Sequence, residues 1–444
     1  MKKFAQASIA AALLASSMSS CKDNAKSKEN AKPSALEQPQ THFEKVTSHL
    51  DHEGDFFEYT KINDQNANVN GIAELVEKII LLEKNIRDKD KQAVLDGVKV
   101  AKTLMQESGV LEFDAIGMSA VKKDGYYHNK SIMHTKSTNG TLFKVLGGKS
   151  HDLTSQQFLP QNTVFAVSGD LKLVELWNTL EKVSQTSTNP QIKMIPDMLK
   201  KEMAKGKIDL AKLLNEQTGE IGVFFTADSK KQITMPGRGP KVILPQLDAT
   251  LFIARKGQIL DDLISKGLPK NLKTEQVDGF TITTLPALPN PMQTQAAIAT
   301  SKDYIFISSN IERLKESILN VKLNKGLTST EKFKKLSKDI PTQGNSYIYL
   351  DPQTAKTFLD VVSKAVPAKD RDAVEYYTNQ IPNNFFYYGV SQVTADGLMN
   401  TNNFTMRQDV VQGSMLMTAG ATGVIAAMIV PALSKARAKA MRNK

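Results

Sequence analysis

The chain has 444 residues with 41% hydrophobic, 23% charged and 7% aromatic content. This globular composition excludes a wholly disordered, collagen-like or polytopic membrane chain. The single cysteine excludes an intramolecular disulfide framework and a cysteine-based zinc cluster, and the net charge of +11 sits largely at the two ends, so it points to no nucleic-acid partner.

Residues 1–20 have the three parts of a secretory signal peptide. Lys2 and Lys3 supply a positive start, Phe4 to Leu14 an apolar run too short to span a bilayer, and Ala15 to Ser20 mostly small residues. Met18-Ser19-Ser20-Cys21 then resembles the lipobox of bacterial lipoproteins, where Leu and two small residues precede the lipidated cysteine. The resemblance implies cleavage before Cys21 and acylation of its thiol and new amine, palmitate being one such chain. Each buried lipid CH₂ contributes about 0.8 kcal/mol, so several chains anchor a protein firmly. Residues 21–41 hold few apolar side chains, Pro33, Pro39 and mixed charge. They bury too little to offset ordering entropy and are expected to form a flexible tether.

From 42 to 409 the expected fold class is α+β. The pattern is a repeated strand–helix–hairpin unit, forming antiparallel sheets with helices on one face. The first unit, 42–157, has a strand at Asp55 to Thr60, a helix from about Ile72 to Leu82, and strands Phe113 to Val121 and Tyr126 to Thr135 around Asp124-Gly125. An Asp-Gly pair between alternating strands is a strong hairpin signal, with both residues expected at positive φ. The second unit, 158–338, is expanded. It has a strand at Thr163 to Asp170, a helix from about Leu171 to Val183 capped by Asp170, and strands Ile221 to Ala227 and Ala249 to Ala254. Strands at Gly279 to Leu285, Ala296 to Thr300 and Tyr304 to Ser308 follow, then a helix from Ile311 to Leu319 capped by Asn310. The third unit, 339–409, has a strand at Ser346 to Leu350, a helix from Thr354 to Val366, and strands Phe385 to Val393 and Leu398 to Met406 around Asp396-Gly397. The body's architecture is similar to that of uncharacterised exported bacterial proteins.

Residues 413–433 contain no ionisable side chain. At about 1.5 Å per residue they match the roughly 30 Å hydrocarbon thickness, so the segment is a transmembrane or otherwise buried hydrophobic helix. The basic tail, 434–444, fits a cytoplasmic end. The run Gly423 to Ala440 resembles the hydrophobic helix of type IV pilins, which packs in a filament core. That likeness implies a membrane helix able to pack with similar ones through Gly420, Ala421, Gly423 and Ala427.

Candidate chemistry is sparse. His49, Asp51, His52, Glu53 and Asp55 form the densest set of metal-ligand types, but they lie in a turn where Asp, Glu and Gly are expected anyway. His128 and His134 are spaced for one strand face, and His151 could approach them. Gly147-Gly148-Lys149-Ser150 imitates only the end of a P-loop. Pro196 to Leu214 alternates Met and Leu with Lys, which suits either an anionic membrane surface or a solvated core-facing helix. The reading is therefore a membrane-anchored cell-envelope lipoprotein, lipidated at Cys21, with its body outside the cytoplasm. Its expected role is structural or binding, with no catalytic residues, metal ligands or cofactor. Its expected partners are the membrane, through lipid and C-terminal helix, and an envelope protein. The alternatives are an accessory component of a pilus-like or secretion assembly and a metal-dependent hydrolase using the histidines of the first unit, with turnover lost on mutating His49 and His52.

Overall fold

Runs of β-branched and aromatic residues separated by Asp-Gly and Pro-rich turns produce the strands of a body that holds about as much helix. In the computed structural model, residues 41–62, 65–83, 87–235, 242–269, 271–286, 294–352 and 385–408 are described. Cys21, the helix expected at Thr354 to Val366, and residues 413–444 lie outside them. The body begins at His42. Its strands are β1 (Phe56–Lys61), β2 (Phe113–Lys123), β3 (Tyr126–Thr135), β4 (His151–Asp152), β5 (Thr163–Asp170), β6 (Gln217–Met235), β7 (Val242–Arg255), β8 (Thr274–Val277), β9 (Phe280–Thr284), β10 (Ala297–Thr300), β11 (Tyr304–Ser308), β12 (Gln343–Gly344), β13 (Ser346–Leu350), β14 (Tyr387–Thr394) and β15 (Gly397–Phe404).

The fold is α+β, built on one antiparallel sheet of thirteen strands in the order β1-β2-β3-β15-β14-β13-β5-β6-β7-β11-β10-β9-β8. Strands β4 and β12 pair separately. Three blocks share one connectivity: a strand, an intervening segment, then a hairpin. They are β1 with β2/β3, β13 with β14/β15, and β5 with β6/β7. The C-terminal block lies between the other two, through β3–β15 and β13–β5 pairing.

The expectation of helices on one face is corrected here. Strands β5 and β13 are buried almost throughout, which marks a sheet covered on both sides. On one face Ala166, Phe224, Phe252, Phe306, Tyr347 and Tyr349 pack against Phe158, Leu314, Ile318, Phe333 and Leu336, bringing in the helices Ile311–Leu323 and Glu331–Leu336. On the other, Val167, Ile221 and Ile348 meet Val145, Leu171 and Leu173, from the helices Thr141–Val145 and Leu173–Thr186 and the turn before the second. Successive strand residues point to opposite faces, so Ala166 and Val167 serve different cores.

Turn chemistry also differs from expectation. The hairpin β2/β3 turns through Asp124-Gly125, but of the two only the glycine has positive φ. Likewise, at Asp396-Gly397 only Gly397 does. A hairpin turn with both residues at positive φ is Asp278-Gly279, between β8 and β9. Asn310 caps its helix by accepting from the Glu312 N–H at 3.0 Å. Asp170 caps nothing; Lys172 occupies the cap position of the next helix. Among the described residues no helix is long and apolar enough to cross a membrane.

Candidate functional site

The site lies where β5 and β6 end side by side. Asp170 is paired in register with Glu220, and both side chains are buried. Strand β6 is irregular here: Gln217 and Ile221 are in register with Arg255 and Ile253 of β7, and the residues between them bulge. Gly219 lies in this bulge at φ 151°. Bulges re-aim side chains, and this one directs Glu220 at the turn carrying Thr154 and Ser155.

Glu220 Oε2 accepts from the Ser155 N–H at 3.0 Å, from Thr154 Oγ1 at 3.3 Å and from the Tyr304 hydroxyl at 3.4 Å. Burial, and then the negative charge of Asp170, push its carboxyl group up to about 7, against the opposing effect of His151 and Ser155. Asp170 Oδ2 accepts from His151 Nε2 at 2.7 Å and from Asn345 Nδ2 at 3.1 Å. His151 Nδ1 faces the Asp152 carbonyl at 2.9 Å. A carbonyl and an ionised carboxylate only accept, so both ring nitrogens donate and the ring is an imidazolium. The hydrogen bond to Asp170 is the largest cause of the rise of His151 to about 9, opposed by burial and helped by the Asp152 carbonyl and the charges of Asp170 and Glu220.

Gly147 explains how the loop closes over this pair. It sits at φ 94°, and a β-carbon there would overlap the Asp170 carboxylate. Ser150 Oγ donates to Asn345 Oδ1 at 3.1 Å, so the residues that imitate a P-loop end instead lock a carboxylate. Below Glu220, the Ser155 hydroxyl is 3.2 Å from that of the fully buried Tyr347. Chemically, the arrangement keeps an imidazolium–carboxylate ion pair beside a carboxyl group that exchanges its proton near neutrality.

The histidines singled out in the sequence are not gathered into one place. His49 Nε2 bonds Asp396 Oδ2 at 3.0 Å, whereas His52 stacks on Phe57 with centroids 5.4 Å apart. Asp51 pairs with Lys130 at 2.7 Å, and Asp55 Oδ2 accepts from the Lys122 N–H. His128 bonds Asn403, His134 bonds Asp114, and His151 bonds Asp170, so these three do not converge. Sequence reasoning missed Glu220 and gave Asp170 a capping role. The available signal was Gly219, a glycine just ahead of the expected strand Ile221 to Ala227 and therefore a position for a bulge.

A family model described as "Protein of unknown function (DUF3352)" matches residues 132–373, more than half of the chain. The chain belongs to this family. The matched segment contains Asp170, Glu220, His151 and Asn345, so the whole carboxyl–imidazole arrangement lies within the family's domain. No curated protein and no solved structure matches the chain.

Proposed function

We propose that this DUF3352 chain is an exported, membrane-anchored cell-envelope protein whose body has a structural or binding role without turnover. The observation that carries the reading is the way Glu220 spends its hydrogen bonds. Its carboxyl group, displaced toward neutrality, ties the Thr154–Ser155 turn to the sheet through the Ser155 N–H and the Thr154 hydroxyl. The hydrolase alternative rests on the histidines of the first unit; of these, His49 and His52 each have a different partner. Anchoring rests on the Cys21 signal and on residues 413–433 as a membrane helix. The three blocks of strand, segment and hairpin read as copies of one unit.

A second observation favours contact between the body and a membrane surface. The basic run separates at Gly206 into the helices Ile195–Lys205 and Leu210–Glu216. Met194, Met198 and Leu199 are exposed in or beside the first, next to Lys200 and Lys201. Apolar side chains flanked by lysines suit an anionic lipid surface. The pilus-assembly alternative rests on Gly423 to Ala440 and is distinguished by co-purification with pilin-like proteins.

The test is metabolic labelling with a radioactive fatty acid, followed by membrane fractionation. Wild type should take up label and sediment with membranes, and Cys21→Ser should take up none. Unlabelled wild-type protein in the cytosol with Met1 intact would sink the reading. Fractionation without residues 413–444 then separates the lipid's contribution from that of the helix.

A further inference from the structure

We propose that His42, Asp114 and His134 form a binding site for one divalent transition-metal ion of the zinc class. Within the DUF3352 chain, His134 lies inside the matched segment and the other two precede it, so this site is separate from the carboxyl–imidazole arrangement.

Three elements bring the residues together. His42 opens the helix His42–Thr47. Asp114 lies at the register shift between Phe113 and Ala115 of β2, and His134 is paired with Ala115 on β3. The bulge lets a carboxylate emerge beside an imidazole that a regular ladder would place opposite alanine. Helix and hairpin are held together independently by Val46, Leu50, Ala115 and Ile132, so the donors are positioned by apolar packing rather than by their own attraction.

One potential ligand atom from each residue lies within 4.8 Å of those from the other two. Asp114 uses both oxygens: Oδ1 is 2.6 Å from His134 Nδ1, and Oδ2 is 3.1 Å from His42 Nε2. The imidazole rings meet edge to face with centroids 5.0 Å apart. A tetrahedral zinc with bonds of about 2.0–2.1 Å holds its ligand atoms roughly 3.3 Å apart, so entry of the ion requires the Asp114–His134 contact to open by about 0.7 Å.

The surroundings orient one imidazole toward the carboxylate. His42 Nδ1 lies 2.7 Å from the Tyr59 hydroxyl, which fixes the ring and leaves Nε2 facing the carboxylate. Nε2 is buried 3.1 Å from Asp114 Oδ2. An imidazole held through its second nitrogen, with the first aimed at an anionic oxygen, is the arrangement of an oriented metal ligand. Two imidazoles and one carboxylate suit Zn²⁺ and its first-row neighbours, and leave a coordination position for a solvent or partner oxygen.

The test titrates full-length, chelator-treated protein with ZnCl₂ alone, followed by calorimetry and thermal melting, and with CoCl₂, followed by visible absorption. The expected result is one equivalent bound, a raised melting temperature and tetrahedral Co²⁺ bands. His42→Ala and Asp114→Asn should abolish all three. Tyr59→Phe should weaken binding by about 10- to 100-fold, a loss that a tyrosine without an orienting role would not produce. His52→Ala should bind like wild type. His42 is partly exposed, so its replacement should leave the metal-free melting transition in place and loss of binding readable apart from loss of fold. Failure to bind either ion, or equal binding by His42→Ala and Asp114→Asn, would overturn the proposal. Fatty-acid labelling of Cys21 is untouched by either outcome.

Discussion

Glu220→Gln should change how stability depends on pH. The Glu220 carboxyl group is displaced from its ordinary 4.5 to about 7 in the fold, so between these values the folded chain binds more protons than the unfolded one. Stability therefore falls as pH rises through this window, and above pH 7 the ionised group costs the fold about 3 kcal/mol. Glutamine preserves the shape and an oxygen for Ser155, Thr154 and Tyr304, and carries no charge to repel Asp170. The variant should match wild type near pH 4.5 and exceed it by up to about 3 kcal/mol at pH 8. His151 acts in the adjoining window. Its displacement from 6.5 to about 9 is that of a base, so its stabilisation is complete below 6.5 and is lost as pH rises through 9. Because its side chain is 42% exposed, solvent screening reduces that contribution to about 1 kcal/mol. Urea unfolding at half-unit pH steps from 4.5 to 9 measures both effects. If Glu220→Gln keeps the wild-type slope between 4.5 and 7, the buried carboxyl group does not carry the linkage.

Other perturbations have equally definite outcomes. Phe306→Ala removes a fully buried ring that meets Phe158 at 4.9 Å and Phe280 at 5.7 Å between centroids. It should cost about 3–5 kcal/mol in urea unfolding; a loss below about 1 kcal/mol would show that this core collapses around the gap. Asn310→Ala removes a helix cap and the amide bonded to Asp248. A loss of about 1–2 kcal/mol is expected by the same assay. Gly147→Ala introduces a side chain at positive φ against Asp170. It should lower the His151 titration from about 9 toward 6.5, as followed by histidine ring NMR signals.

Strand positions were legible where side-chain type and pairing agree. Thr163 to Asp170, Ser346 to Leu350 and Tyr304 to Ser308 coincide with β5, β13 and β11, because β-branched and aromatic runs fit a pleated sheet whichever faces are buried. The same runs concealed burial on both sides, since an apolar stretch such as Val164 to Val167 alternates weakly and does not say how many layers cover it. The sites were less legible because their chemistry crosses between segments. Glu220 is displaced by burial and by Asp170, fifty positions earlier and opposite it in register. His134 meets Asp114 across a bulge and His42 across a helix, and no spacing along the chain encodes either meeting.

The chain order of the sheet has a consequence for biogenesis. Strands β15, β14 and β13 lie inside the sheet between β3 and β5 yet emerge from the ribosome after all its other strands. Until residue 404 has been synthesised or translocated, β3 and β5 each present an open row of amides and carbonyls, and such rows recruit strands from other nascent chains. Export in an unfolded state, with a holding chaperone masking those rows until the keystone block arrives, would spare the protein that hazard. Under the export proposed above, a secretory leader would impose that delay.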